Sequence, residues 1–479
     1  MSSLILSAQH WVQARLQGVG QWLASMLGDD TQGRKSTISV LDGVRALAFL
    51  SVLTYHINRV TGDNLWNVPA NPLASSLSTF GASGVVLFFV LSGFLLFMPY
   101  AKALLFDGTW PSARAFYIRR VLRIIPAYYV ALFLLIIFSH PEYLQRDHLK
   151  DLLLFLTFFM DSSPRTFQQI NGPFWTLGVE WQFYMLLPLL MLGLYLIVRR
   201  VPLQRRLPVL ICCLLGLMTW GVFIRYWGFY LAQYPSQMFL IPRRVLDIVM
   251  FFLFGVRGKY LEVFAVGMLI SLCYIYAKQA APDSKFVTRA QRLSLWLWGG
   301  GILVLVFASM WHFNYDHFGL RGQPIGYHGW PFLNFLEPHY FWLDDFCSSI
   351  GYGACVAAIL FGPIELKRPF EWRYLRWIGL ISYSLYMYHL PMLLFLRDHV
   401  LPLLHGLGRY STYSLYWAWA LLIIFPFAFL SFVLTEKPWM KLGDELRRKI
   451  EGQKRVGVPE KPKQDAVGDP PKEEPAKVS

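Results

Sequence analysis

The sequence is poor in charged residues. Asp, Glu, Lys and Arg make up only 15% of its 479 residues, whereas 55% are hydrophobic and 17% are aromatic. The mean hydropathy is +0.41. A water-soluble domain of this length rarely has such a composition, because most of its surface must be polar enough to face water. The shortage of charge argues against a soluble fold and favours a protein that crosses a membrane several times.

Cysteine is also scarce, and its placement excludes two common roles. The five cysteines are Cys212, Cys213, Cys273, Cys347 and Cys355, which lie in apolar segments and form no CxxC or CxxH pair. Cysteines of this kind behave as small buried hydrophobic residues. We therefore expect neither a disulfide framework nor a metal site built on cysteine. No cluster of His, Asp and Glu has ligand spacing either, so we expect no metal.

Acidic residues are few compared with basic ones. The chain has 29 Asp and Glu against 44 Lys and Arg, which gives a formal net charge of +15. No nucleic-acid recognition motif accompanies this excess, so we expect no nucleic-acid partner. The basic residues instead gather in alternate loops between apolar segments, which is the positive-inside pattern and predicts cytoplasmic termini. The loop 232–259 departs from this pattern, because it should lie outside yet contains several basic residues.

Ten apolar segments reach the length of about 20 residues that a membrane span requires. They are centred on 38–58, 81–104, 121–139, 175–198, 208–231, 260–277, 294–310, 346–362, 376–397 and 414–435. Two shorter apolar runs, 149–160 and 245–256, are expected to be re-entrant or interfacial.

The sequence therefore predicts an all-α polytopic membrane protein, a bundle of about ten transmembrane helices with both termini cytoplasmic. Residues 1–37 form a cytoplasmic or interfacial segment in this scheme, and residues 38–440 form the transmembrane domain. Residues 441–479, charged and rich in proline, are predicted to be a disordered cytoplasmic tail.

The first span contains polar residues that are expensive to place in a bilayer. It reads LDGVRALAFLSVLTYHINRV and contains Asp42, Arg45 and His56. Such residues usually belong to a functional site. Arg45 and His56 are eleven residues apart, which places both on one helix face. Arg45 then lies near the cytoplasmic end and His56 in the outer half. Asp42 either caps the helix or pairs with Arg45, or it belongs to the site.

The third span opens with YIRRVLRIIPAYY and contains Arg119, Arg120 and Arg123. Ordinary anchoring at the cytoplasmic surface accounts well for Arg119. It accounts less well for Arg123, which is flanked by apolar residues. Arginines that face inward at this depth can bind phosphate groups bidentately.

The fourth span contains Trp175 and Glu180 in the text GPFWTLGVEWQFYMLLPLL. Counted from the outer end of the span, Glu180 lies at a depth similar to that of His56. An unpaired buried carboxylate is costly, and a histidine partner would relieve that cost while the carboxylate orients the imidazole. A structural hydrogen bond to a neighbouring helix is the alternative.

Two further spans contribute candidate site residues. Ser92 can donate a hydrogen bond within a site, but no GxSxG sequence surrounds it, so we do not expect a nucleophile. Tyr386 and His389 are one turn apart in ISYSLYMYHLPM and share a helix face. Such a pair serves either packing or catalysis.

Together these segments resemble the acyltransferase-3 family of integral-membrane O-acyltransferases. The matching text occurs in the family's order over roughly residues 38–440: LDGVRALAFLSVLTYH, LFFVLSGFLLF, ARAFYIRRVLRIIPAYY, GPFWTLGVEWQFYMLLPLL, LEVFAVGMLI, ISYSLYMYHLPM and TEKPWMKL. The resemblance implies transfer of an acyl group, usually acetyl, from cytoplasmic acyl-coenzyme A to a hydroxyl of a carbohydrate, glycolipid or related acceptor. It also implies a bacterial inner membrane as the location.

The resemblance implies roles in this chemistry for Arg45, His56, Arg120, Arg123 and Glu180. We expect the three arginines to bind the anionic donor, His56 to act as general base, and Glu180 to orient His56. Direct transfer is favoured over a covalent acyl-histidine. A multi-span transporter or flippase remains the alternative function, since it would also place polar residues at depth. However, the two halves of the sequence show no inverted pair of corresponding segments.

Overall fold

The fold is helical throughout the part of the chain that the structure describes. The structure is a computed structural model that describes residues 39–62, 72–234, 241–279, 284–318, 331–404 and 406–456. No strand occurs among these residues, and the predicted all-α fold is confirmed. The α-helices are α1 (Val40–Val60), α2 (Pro72–Thr79), α3 (Gly84–Phe106), α4 (Ala113–Ser139), α5 (Leu149–Leu156), α6 (Phe174–Val198), α7 (Leu203–Gln233), α8 (Arg243–Leu253), α9 (Leu261–Gln279), α10 (Lys285–Phe318), α11 (Pro331–Leu336), α12 (Tyr340–Phe361), α13 (Ile364–Lys367), α14 (Arg373–Leu380), α15 (Ser382–Phe395), α16 (Arg409–Trp419), α17 (Phe425–Ser431) and α18 (Lys437–Val456).

The membrane spans agree closely with the ten predicted apolar segments. Over the described ranges, nine helices are long and apolar enough to cross a membrane. The pair Arg373–Leu380 and Ser382–Leu403, bent by 73° at the break between them, makes a tenth. Apolar side chains on the outer faces, such as Phe138 at 79% exposure and Trp296 at 78%, suit contact with lipid tails. The cytoplasmic position of both termini stays a prediction.

Helix α1 lies inside the bundle, where it packs against α3, α14 and α15. Close approach of the backbones depends on glycine. A Cβ atom added to Gly379 would lie 1.8 Å from the carbonyl oxygen of Asp42, and one added to Gly84 would lie 2.4 Å from that of Ala48. Small residues at such positions let membrane helices pack tightly. The polar residues of α1 are therefore enclosed by protein rather than by lipid.

The short apolar run 149–160 does not cross the membrane. Helix α5 ends at Leu156, and the non-helical chain after it turns into the bundle, where Phe158, Met160, Thr166 and Asn171 are almost fully buried. Helix α6 begins directly after this re-entrant segment, and its first residue, Phe174, is completely buried. The start of α6 thus lies within the bundle and not at its surface, which changes the depth of every residue that follows. The second short run is α8, an eleven-residue helix with an apolar exposed face.

The disordered tail was predicted to begin at residue 441, but the first part of this segment is helical. Helix α18 continues to Val456 and packs against α4, so residues 441–456 are helical. A helix rich in charged residues can pack against the end of the bundle while its charged side chains pair with each other or face water. Charge composition alone does not reveal such packing. Residues 457–479 and the predicted N-terminal segment 1–37 lie outside the described residues.

Candidate active site

Helices α1 and α15 bring two histidines together. The Nδ1 atom of His56 lies 3.1 Å from the Nε2 atom of His389, and the ring centroids are 4.9 Å apart. His389 is completely buried, and Phe49 packs edge-on against it at 5.7 Å. The sequence named both histidines as candidates but did not predict that they form a pair.

The hydrogen bonds around the pair determine where the protons lie on two neutral imidazoles. The Nδ1 atom of His389 lies 2.9 Å from the carbonyl oxygen of Tyr386 and 3.1 Å from that of Leu385. A carbonyl only accepts, so this nitrogen donates its proton and Nε2 of His389 is an acceptor. Nδ1 of His56, which also lies 3.0 Å from the carbonyl oxygen of Val52, is then the donor to His389. The Nε2 atom of His56 is left unprotonated, as a general base requires.

His56 opens onto a cavity of about 970 Å³. Trp175 and Tyr386, two other residues singled out in the sequence, also line it. The Tyr386 hydroxyl lies 2.8 Å from Oγ1 of Thr176, which donates to the carbonyl oxygen of Pro173 at 2.8 Å. Because Thr176 has used its only proton there, Tyr386 donates to Thr176. The hydrogen bond joins the start of α6 to α15 beside the histidine pair.

Glu180 does not pair with His56, so the prediction that it orients this histidine is wrong. Its carboxylate accepts hydrogen bonds from the hydroxyl groups of Ser92 and Tyr184. The error comes from the re-entrant segment, because α6 begins inside the bundle and Thr176 is already level with Tyr386. Glu180 comes one helical turn after Thr176, which places it about 6 Å further along the helix and away from the histidine pair.

The three arginines predicted to bind the donor lie together with Glu180 at the Arg45 end of α1. Arg45 interacts electrostatically with Glu180 and with Arg123. Arg120 interacts with Glu180 as well, and its guanidinium lies 5.5 Å from the ring centroid of Tyr184. The Nε atom of Arg120 is buried and has no hydrogen-bond partner in the described part of the chain. These residues form an arginine cluster that includes the carboxylate of Glu180.

Arg119 differs from its neighbours in its surroundings. It interacts with Arg123, as Arg120 does, but its other charged neighbours are Asp444, Arg447 and Glu451 of α18. Its position thus agrees with an anchoring role at the end of the bundle. Asp42 interacts electrostatically with Arg45, which lies about one helical turn further along α1.

Sequence reasoning missed one acidic residue of this cluster. Glu436 is 2% exposed, accepts a hydrogen bond from the hydroxyl of Ser384, and interacts electrostatically with Arg45 and Arg123. It stands at the boundary between the last apolar segment and the basic residues after it, where a carboxylate normally faces water. The only signal was its presence in the matched text TEKPWMKL.

Within the described ranges, no group of three or more His, Cys, Asp or Glu residues is arranged to hold a metal ion. The site thus offers two sets of groups at different depths. His56, whose partner His389 is buried behind it, lines the cavity, and the arginine cluster lies toward the other end of α1. This arrangement suits proton transfer at one end and binding of an anionic group at the other.

A family model described as an acyltransferase domain matches residues 38–436 of the chain. Three curated bacterial proteins illustrate the relatives. The putative peptidoglycan O-acetyltransferase YrhL of Bacillus subtilis is 24% identical over 370 residues, which cover 74% of this chain and 48% of that protein. The peptidoglycan O-acetyltransferase OatA of Listeria monocytogenes is 26% identical over 382 residues, covering 76% and 50%. A putative O-acetyltransferase of Staphylococcus aureus is 24% identical over 439 residues, covering 84% and 57%.

The chain spans about half the length of the curated relatives it matches. No solved structure matches it.

Proposed function

The chain belongs to the family of acyltransferase domains, and on that premise we propose that it is a membrane O-acyltransferase. It moves an acyl group, acetyl by preference, from acyl-coenzyme A to a hydroxyl group of a carbohydrate or glycolipid. Relatives named as peptidoglycan O-acetyltransferases support both the acetyl group and a glycan acceptor. The single observation that supports the chemistry best is the His56–His389 pair, which leaves a ring nitrogen free beside a large cavity.

The donor is expected to enter at the Arg45 end of α1. Coenzyme A carries phosphate groups, and Arg45, Arg120 and Arg123 offer guanidinium groups that bind phosphate bidentately. Glu180 lies among them and holds their geometry through charge and through its bonds to Ser92 and Tyr184. Because coenzyme A is cytoplasmic, this end faces the cytoplasm and the protein belongs in the cytoplasmic membrane of a bacterium.

The reaction joins the two ends of α1. Arg45 and His56 are eleven residues apart, which corresponds to about 16 Å along a helix. The long pantetheine arm of the donor can cover this distance, so the thioester reaches the cavity while the phosphates stay with the arginines. The acceptor enters the cavity from the other side.

The chemical step is a direct transfer. The Nε2 atom of His56 takes the proton of the acceptor hydroxyl as its oxygen attacks the thioester carbonyl carbon. The carbon–oxygen bond forms, the carbon–sulfur bond breaks, and the coenzyme A thiolate leaves and receives the proton from His56. His389 fixes the tautomer of His56 and stabilises its protonated form by accepting from Nδ1.

The test uses membrane vesicles with the cytoplasmic face outward, supplied with radiolabelled acetyl-coenzyme A. We expect base-labile label in the glycan or glycolipid fraction with the wild type, and none with His56→Ala. His148→Ala is the matched control, because His148 contacts Asp151 and does not line the cavity. Equal labelling by wild type and His56→Ala would refute the assignment of the base. Absence of label from the wild type would refute acetyl transfer.

A further inference from the structure

An ion network centred on Arg225, which the proposed reaction does not use, also borders the cavity. Arg225 is 2% exposed and donates from Nη1 to Glu262 at 3.0 Å and from Nη2 to Asp345 at 2.6 Å. Nη2 also donates to the carbonyl oxygen of Phe341 at 3.0 Å. One cation thus faces two carboxylates. Ion groups buried this deeply in a membrane protein usually serve a site.

Asp345 turns part of this network toward the cavity. Its side chain is 25% exposed, whereas that of Glu262 is 1% exposed. Both Arg225 and Asp345 line the cavity. Oδ2 of Asp345 is bonded to Arg225, and Oδ1 has no hydrogen-bond partner within the described ranges. The Nε atom of Arg225 is buried without a partner there as well. A carboxylate oxygen in this position accepts hydrogen bonds from a ligand's hydroxyl groups.

Aromatic rings lie beside the network. The ring of Trp175 lies 5.5 Å from Phe167 and 5.7 Å from Tyr260, and all three line the cavity. The guanidinium of Arg225 lies 4.7 Å from the Tyr260 ring centroid. Trp175 is half-buried and lines the cavity. Aromatic side chains with a few placed polar groups are typical of small-molecule sites.

The backbone is strained on the same wall. Five residues other than glycine have a left-handed φ in the described part of the chain, and three of them, Gln168, Ile170 and Tyr260, line the cavity. Tyr260 has a φ of 56°. A bulky residue adopts this conformation only where the surroundings enforce it, and such strain gathers at ligand sites.

We propose that Trp175, Tyr260 and Asp345 form the acceptor subsite, and that the part of the acceptor they bind is a pyranose ring. This inference rests on the proposed function for its link to acyl transfer, but the binding itself does not require it. A pyranose has an apolar face of C–H groups and an edge of hydroxyl groups. The ring of Trp175, with the buried ring of Tyr260 packed beside it, matches the face, and Oδ1 of Asp345 matches the edge. An acyl chain in this place would displace water from that carboxylate oxygen without replacing its hydrogen bonds, at a cost.

The test measures sugar binding without any acyl donor. The full chain is placed in lipid nanodiscs, because common sugar-based detergents would compete for the site. The probes are methyl β-D-glucopyranoside and methyl N-acetyl-β-D-glucosaminide, followed by saturation-transfer NMR. We expect saturable binding of at least one probe, with the strongest transfer to the ring protons of one face. Sorbitol, which has similar hydroxyl groups but no ring, is expected not to saturate.

Asp345→Asn should weaken probe binding about 10-fold or more, since a hydrogen bond to a charged group is lost. The matched control is Asp247→Asn, which removes the carboxylate of another Asp–Arg pair, bonded to Arg243 at 2.7 Å on α8 and outside the cavity. That variant should bind as the wild type does. Trp175→Leu keeps Asp345 but removes the aromatic face, and it should also lose at least several-fold in affinity.

The possible results separate this inference from the proposed function. No saturable binding of either probe by the wild type, or unchanged binding by both Asp345→Asn and Trp175→Leu, would overturn the inference. Binding that depends on Asp345, together with no acyl transfer to any acceptor in the vesicle assay, would refute the enzymatic function and leave the sugar subsite standing. A variant that has lost binding is compared with the wild type by thermal unfolding, and a matching midpoint assigns the loss to the subsite.

Discussion

His56 and His389 are 333 positions apart in the chain, yet their imidazole nitrogens lie 3.1 Å from each other between α1 and α15. The backbone carbonyl groups that flank the pair make the direction of the hydrogen bond definite, from His56 to His389. His389 is thus the partner that orients His56, a role that the sequence analysis gave to the carboxylate of Glu180. An imidazole partner is neutral, so it fixes the tautomer of the base without adding a negative charge to a buried site.

Removal of this partner should slow the reaction without abolishing it. We expect His389→Ala to lower kcat about 10- to 100-fold with little change in the KM for the donor, since His56 keeps its bond to Val52 but loses its fixed orientation. His389→Gln should retain more activity than His389→Ala, because a side-chain amide oxygen can still accept from His56. Steady-state kinetics of the three proteins in vesicles would test this order. If both variants reacted as fast as the wild type, His389 would contribute only packing and would not orient His56.

Glu180 should affect the donor rather than the base. Its contacts are with Ser92, Tyr184 and the arginines. We expect Glu180→Gln to change the KM for acetyl-coenzyme A several-fold, while the pH dependence of kcat keeps the wild-type shape. A carboxylate that oriented His56 would instead alter that dependence when removed. A displaced pH profile for Glu180→Gln would therefore contradict the geometry described here, whereas an unchanged profile with an altered KM would support it.

The neighbouring arginines of α4 should differ in their contribution to donor binding. Arg120→Ala and Arg123→Ala each remove a guanidinium from the cluster around Glu180, and we expect the KM for the donor to rise about 10-fold or more. Arg119→Ala removes a guanidinium that contacts α18, and we expect less than about a two-fold change. Measurements at increasing salt concentration provide a second comparison, because loss of a phosphate contact weakens the salt dependence of the KM. Similar effects of all three substitutions would mean that they only anchor the helix.

The fold was predictable because a membrane imposes simple rules on a chain. Span lengths follow from the thickness of the bilayer, and all ten predicted segments coincide with spans, the ninth as a bent pair.

The site was predictable only in part. Arg45 and His56 share a helix, so helical geometry alone related them. Glu180 was misplaced because the re-entrant segment before α6 shifts its depth, and no periodic pattern marks such a segment. His389 was named, but its partner lies on a helix far away in the chain.

Glu436 offers the sharpest test of the link between charge balance and the donor. This buried carboxylate interacts with Arg45 and Arg123 and accepts from Ser384. Glu436→Gln keeps the size and the hydrogen bond, but it leaves the arginines with one negative charge fewer. A buried charge that loses its partner destabilises a protein, so we expect the thermal midpoint of the variant to fall by several degrees.

Free coenzyme A should then stabilise the variant more than the wild type, because its phosphates supply the missing negative charge to the cluster. Glu445→Gln on the exposed face of α18 is the control, and its midpoint should match that of the wild type. If coenzyme A raises the midpoints of Glu436→Gln and the wild type by the same amount, the nucleotide phosphates do not bind at these arginines, and the donor site must be sought elsewhere.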